Sequence, residues 1–300
     1  MSKLLNYKKY YSMILFDLIF ILLLISIIRS LTEIAITTTT TTQQSQKICV
    51  PIIMYHQVKN RNLGKDVITP SEFESDLKYL AKNNYTTITM KQVIDYVYDG
   101  IELPENPIIL SFDDGYLSTY KNVFPLLKKY NMKIVLSIIG KSTDDFSKVD
   151  DQNIEHAHIT WDQVYEMSET GLVEINNHSY NLHKVKDGRY GSGQMKNESF
   201  THYESILAED IKTLQDKITS VINTTPSTYT YPYGKYNDNT NAILRNLGFK
   251  ASLSVTYGVN LISRDNPEKL FGLKRICRAN NQSIGKIIRE GMETLRFSKD

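Results

Sequence analysis

The chain has 300 residues, enough for one large domain or two small ones with a sizeable buried core. Its composition is that of a globular protein, and 35 basic against 33 acidic side chains leave a net charge of only +2. That balance gives no electrostatic case for nucleic acid, whose binding needs a concentrated basic surface, so no nucleic-acid partner is expected. The 20 tyrosines would suit sugar stacking but are equally at home in a core, and nothing in these totals sets an oligomeric state.

Lys3, Lys8 and Lys9 precede an apolar stretch from Tyr10 to Ile28, interrupted by Asp17 and Ser26. At 1.5 Å per residue its length approaches the roughly 30 Å hydrocarbon core of a bilayer. The leading lysines predict a cytoplasmic N-terminus and an exported remainder. No small-x-small cleavage site follows; Arg29, Ser30 and Leu31 come next. Residues 1–31 therefore read as an uncleaved membrane anchor, a removed signal peptide that would leave the protein secreted being the alternative. Thr37 to Thr42 is a threonine run followed by Gln43, Gln44, Ser45 and Gln46, so 32–49 reads as a solvated tether. Residues 50–300 form the globular domain.

That domain opens on the apolar segment Val50 to Tyr55. Thr69-Pro70 starts a predicted helix with Phe73, Leu77 and Leu80 on one face. Tyr85 to Ile88 reads as a strand, and Met90 to Tyr98 as a helix stopped by Gly100. Pro107 to Phe112 is a continuous apolar run, the pattern of a strand buried on both faces. A helix over Val123 to Tyr130 and a strand over Lys133 to Ile139 follow. Thr160 to Gln163 has capping-box spacing ahead of another helix. Val173 to Asn176 (strand), His202 to Ile222 (long helix), Thr228 to Tyr231 (strand), Ala242 to Leu247 (helix) and Ala251 to Val255 (strand) continue the alternation. Repeated β-then-α units predict a parallel sheet closed, or nearly closed, into a barrel, with an open doubly wound sheet as the alternative. Cys49 and Cys277 lie too far apart in sequence for a zinc knuckle; they pair only if the first and last strands are neighbours, and otherwise are free core thiols.

Three short segments carry chemistry, each directly after a predicted strand, where a parallel barrel opens its active-site mouth. Asp113-Asp114-Gly115 offers two carboxylates that project differently, although alone it also suits a solvated turn. Asn176 to His183 carries His178 and His183, five residues apart; on a helix they would point about 140° apart, so both reach one ion only from a loop. One carboxylate and two imidazoles make an open three-ligand metal site, and a neighbouring Asp is a ready general base. Tyr231-Pro232-Tyr233-Gly234 is a tight turn that could also aim a backbone N–H at an oxyanion.

Together SFDDGY, NHSYNLH and YPYG, in this order and spacing, resemble the polysaccharide deacetylases, the NodB-homology or family-four carbohydrate esterases, from about Val50 to the C-terminus. The resemblance implies an α/β fold, a distorted (β/α) barrel, here preceded by one N-terminal transmembrane helix. It implies a hydrolase that removes N-acetyl groups from an extracytoplasmic polysaccharide containing N-acetylglucosamine. Asp113 is implied as general base, Asp114, His178 and His183 as metal ligands, and the backbone amide of Tyr233 as oxyanion donor. The implied cofactor is a divalent metal, zinc first, with cobalt, nickel or iron in some members.

Three departures stand out. The family often spaces its two histidines four apart, often has an Arg two residues before the Pro to tether the catalytic Asp, and often has a C-terminal His-Asp acid. Here the histidine spacing is five, the Arg position is Thr230, and no histidine follows His202. The opening Ile53 to Val58 segment is similar to the branch of poly-N-acetylglucosamine deacetylases, in which an N-terminal histidine, here His56, is the implied acid. His156 and His158 are expected on a polar loop and His202 on a surface helix. An O-acetyl esterase would use the same residues; an inactive glycan-binding homologue would be expected to have lost part of the metal set, and all of it is present.

Overall fold

In a computed structural model, residues 2–39, 47–149 and 151–297 are described. They divide into two compact units, Met1–Gln46 and Lys47–Asp300. The first contains helix α1 (Ser2–Thr39), of which Tyr10–Ser30 has mean hydropathy 2.6 and is wholly unburied. It is long and apolar enough to cross a membrane. The helix continues through 32–39, where a tether was expected, and the rest of the threonine-glutamine run up to residue 46 lies outside the described residues.

The second unit begins slightly before the expected boundary, because Ile48–Val50 pairs antiparallel with Asn260–Ile262. Its centre is seven parallel strands: β1 (Ile52–Tyr55), β2 (Pro107–Phe112), β3 (Ile134–Ile138), β4 (Val173–Asn177), β5 (Thr228–Thr230), β6 (Ala251–Tyr257) and β7 (Leu273–Cys277). Each pairs with the next, and β7 pairs back onto β1 through Ile276 with Ile53, so the barrel is closed. The β4–β5 junction is narrow, a single register pair of Tyr229 with Asn177.

Around it run α2 (Pro70–Lys82), α3 (Met90–Tyr98), α4 (Phe124–Tyr130), α5 (Gly140–Phe146), α6 (Trp161–Glu169), α7 (Phe200–Ile222), α8 (Asp238–Asn246) and α9 (Ile284–Phe297). Capping boxes start α2 at Thr69, α3 at Thr89 and α6 at Thr160, where each threonine hydroxyl and the third helical residue's side chain satisfy each other's backbone donors. All six residues of β2 are buried, and their alternation divides the core. Ile108, Leu110 and Phe112 pack with Phe73, Leu77 and Leu80 of α2. Ile109 joins Ile52, Val135, Leu253 and Leu273 in a second cluster. The sequence pattern did not reveal α5, β7, α9 or the short strands Val185–Lys186, Arg189–Tyr190 and Asn260–Ile262, and β7 closes the ring. Cys277 on β7 is in register with Met54 of β1, yet both cysteines are free thiols.

Candidate metal centre and active site

Asp113 and Asp114 follow β2 at the barrel mouth. Asp114 (φ 74°) and Gly115 (φ 76°) are consecutive left-handed residues, and a side chain at 115 would meet Ile138 at 3.1 Å. This sharp turn sends the two carboxylates to different partners. Asp113 is clamped by Arg275 of β7, Nη1 to Oδ1 at 2.7 Å and Nη2 to Oδ2 at 2.9 Å. The guanidinium also donates to Ser111 Oγ (2.9 Å) and, through Nε, to the Ser254 carbonyl (2.7 Å). Burial opposes ionisation of Asp113, but Arg275 and then His178 outweigh it and hold its pKa below the usual carboxylate range. The tether absent at Thr230 is therefore supplied from β7.

His178 follows β4. Its Nδ1 lies 2.8 Å from the Thr230 carbonyl, which can only accept, so Nδ1 carries the proton and in the neutral ring Nε2 turns a free lone pair toward the centre. That Nε2 is 3.4 Å from Asp114 Oδ1, and His183 Nε2 is 3.3 Å from the same oxygen. The five-residue spacing works because the intervening segment is a built loop. Asn177 Oδ1 accepts from the Ser179 N–H at 2.9 Å, and Asp210 of α7 accepts from the N–H groups of Tyr180 (2.8 Å) and Asn181 (2.7 Å). Burial pushes the Asp210 carboxyl up to about 6.

One ligand atom from each of Asp114, His178 and His183 falls within 4.8 Å of the others, so these three could hold a metal ion. The fit is supported by Asp114 Oδ1, which is buried and makes no hydrogen bond among the described residues. Burial, and then the neighbouring His178, depress His183 to about 4, leaving it in the neutral form a ligand needs. Burial also disfavours charge on His178, but Asp114 and Asp113 outweigh it and hold its pKa above the ordinary value. A cation would replace that proton.

His56, Asp113, Asp114, His178, His183, Tyr231, Tyr233 and Val255 line one cavity of about 250 Å³. All six residues singled out in the sequence therefore meet. His56 follows β1, and its Nδ1 is buried without a hydrogen-bond partner among the described residues. Tyr233 (φ 54°) sits in the Pro232–Gly234 turn that follows β5. A side chain at Gly234 would collide with Val255 at 2.2 Å, so the turn needs glycine there. His202 is exposed on α7, bonded to Glu198, and His156 is exposed beside Asp151, both as expected. His158 is different: its Nδ1 donates to the Asp114 carbonyl at 3.0 Å and its ring stacks on Tyr116 at 4.7 Å. It buttresses the left-handed turn, which polarity of the loop did not reveal.

A parallel barrel that gathers two imidazoles and a carboxylate beside a clamped second carboxylate has the layout of a metal-assisted hydrolytic site. The family model for polysaccharide deacetylase matches residues 100–252, just over half of the chain, and the chain belongs to that family. The matched segment contains Asp113, Asp114, His178, His183 and Tyr233, but neither His56 nor Arg275. The poly-beta-1,6-N-acetyl-D-glucosamine N-deacetylase of Escherichia coli is 24% identical over 252 residues, covering 77% of this chain and 37% of that protein. The Staphylococcus aureus protein of the same name is 26% identical over 216 residues, covering 67% of this chain and 70% of that one. The chain thus spans little more than a third of the Escherichia coli relative. Among solved structures, a de-N-acetylase from Aggregatibacter actinomycetemcomitans superposes with TM-score 0.69 at 26% identity, covering 82% of this chain and 100% of that one.

Proposed function

We propose that this chain is a metal-dependent hydrolase that removes N-acetyl groups from an extracytoplasmic polysaccharide containing N-acetylglucosamine. The observation that carries the reading is the Asp114–His178–His183 cluster sharing one cavity with the Arg275-clamped Asp113. The likeness to the Escherichia coli and Staphylococcus aureus poly-beta-1,6-N-acetyl-D-glucosamine N-deacetylases supports poly-beta-1,6-N-acetyl-D-glucosamine as the polymer.

Two imidazole nitrogens and one carboxylate oxygen suit zinc first, and cobalt, nickel or iron as well. When bound by Asp114, His178 and His183, such a cation supplies a Lewis acid that polarises an acyl carbonyl and acidifies water. Asp113, kept ionised by Arg275, takes the proton of the attacking water. The Tyr233 backbone N–H donates to the oxyanion that develops as the carbonyl carbon becomes tetrahedral. His56 then delivers a proton to the leaving nitrogen, because an amine anion is too poor a leaving group. Acetate leaves, and a free amine remains on the sugar.

The apolar helix Tyr10–Ser30 supports placement in a membrane, with residues 47–300 outside the cytoplasm. A mature N-terminus found between Arg29 and Gln46 would instead mean cleavage and release. The deciding experiment on function is mass spectrometry of N-acetylglucosamine oligomers incubated with zinc-loaded protein. Stepwise loss of acetyl groups, abolished by a chelator, is the expected result. Unchanged oligomers alongside deacetylated O-acetyl glycans would replace the amidase reading with an esterase.

A further inference from the structure

We infer that Tyr190 and Tyr233 form a subsite for the pyranose ring adjoining the one that reacts, so that the site takes a glycan chain rather than a single sugar. This rests on the deacetylase reading above and adds where the polymer lies. The segment between His183 and α7 is a built element. Asp187 (φ 51°) and Gly188 (φ 83°) make a two-residue turn with both φ positive, the geometry that matches strand twist in a tight hairpin. It joins Val185–Lys186 to Arg189–Tyr190.

The hairpin is pinned from below. Arg189 is buried, ion-paired with Glu198, and donates through Nη1 to the Gly193 carbonyl at 3.0 Å. The Gly191 N–H donates to the Lys184 carbonyl at 3.1 Å, and Ser192 Oγ donates to the Lys235 carbonyl at 3.0 Å. Gly191 (φ 60°) presses so close to the Pro232 turn that an added Cβ would lie 2.6 Å from the Pro232 oxygen. These contacts fix the hairpin against the turn that carries Tyr233.

The consequence is a row of rings leading outward from the candidate metal ligand. Tyr233 packs on His183 with centroids 4.4 Å apart, and Tyr190 packs on Tyr233 at 4.7 Å. Both tyrosines nevertheless remain open, Tyr190 46% and Tyr233 37% exposed. Scattered surface aromatics mean nothing by themselves. Two rings in mutual contact, rigidly backed, and continuous with the reacting cavity are different: they offer a preorganised apolar platform at little entropic cost. A pyranose has the matching shape, an apolar C–H face ringed by hydroxyls. Lys235 Nζ lies over the Tyr190 ring, 5.4 Å from its centroid, a cation–π contact that further holds the ring in place.

The test uses the full-length zinc-loaded chain in detergent, with an N-acetylglucosamine pentamer and an aryl acetate as substrates. For Tyr190→Ala the ratio of kcat/KM on pentamer to that on aryl acetate should fall roughly five- to tenfold, as losing about 50 Å² of covered apolar ring face implies. Tyr190→Phe should keep the wild-type ratio, and zinc content should be equal in all three proteins. Pentamer affinity, measured by calorimetry, should fall by the same factor in Tyr190→Ala. An unchanged ratio with normal pentamer turnover overturns the subsite alone. Tyr190-dependent pentamer binding without any deacetylation overturns the deacetylase reading and keeps the subsite. Neither binding nor turnover by the wild type overturns both.

Discussion

Replacing Arg275 with methionine keeps an aliphatic side chain of similar reach and removes every donor. The wild-type guanidinium is fully buried and makes four hydrogen bonds, two to Asp113 and one each to Ser111 and Ser254. Asp113 is itself only 3% exposed, so the variant strands an unpaired carboxylate in the barrel. Breaking a buried pair in this way costs about 3–5 kcal/mol at neutral pH. In the wild type Asp113 has a folded pKa below its unfolded value of about 3.9. It therefore contributes stability that is present above that value and is lost only as pH falls through the lower folded pKa. Without Arg275 burial dominates, the folded pKa rises above the unfolded one, and the sign inverts. The variant's deficit should then be largest at pH 7–8 and shrink toward pH 5, as Asp113 takes up a proton. Urea unfolding of both proteins from pH 5 to 8 reads this directly. Adding Asp113→Asn should restore part of the stability at pH 7, because a neutral amide needs no counter-charge. A deficit independent of pH and unmoved by Asp113→Asn would show that Arg275 acts by packing rather than by charge.

His178→Ala or His183→Ala should each lose the bound metal, whereas Asp113→Asn should keep it and lose turnover; metal content by mass spectrometry beside a deacetylation assay separates them. Metal affinity of the wild type should weaken as pH falls through the raised pKa of His178, since the proton and the cation compete for one site. His56→Ala should bind metal normally and lose about 10²–10⁴-fold in amide hydrolysis. Its loss should be smaller on an aryl acetate, whose leaving group needs no proton; equal losses would point to positioning instead. Asp210→Ala frees the Tyr180 and Asn181 N–H groups that shape the histidine loop, and should weaken metal binding about 10–100-fold, as outer partners of ligands generally do. Asp210→Asn, which retains one acceptor oxygen, should fall between; wild-type affinity in Asp210→Ala would remove Asp210 from the site.

The elements closest to the site were legible because their signals are local. The β2 run PIILSF is apolar on both faces, Thr69-Pro70 opens α2, and the capping-box spacing of Thr160 and Gln163 marks the start of α6. Asp113, Asp114, His178, His183 and Tyr233 could be named because each follows such a strand, and His56 because it ends the first. What stayed hidden depends on partners distant in sequence. Arg275 lies 162 positions from the carboxylate it clamps, on a short strand whose burial comes from closing the barrel. Asp210 is one acid among several on an amphipathic helix, and only the fold turns it toward the Tyr180 and Asn181 amides. His158 looked like a residue of a polar loop until the Tyr116 bridge brought its ring to the Asp114 carbonyl. Periodicity and strand-end position are properties of a segment, so the sequence alone determined which groups could do chemistry. Which counter-charge, tautomer and loop conformation those groups receive is a property of packing, and the tertiary structure alone decided it.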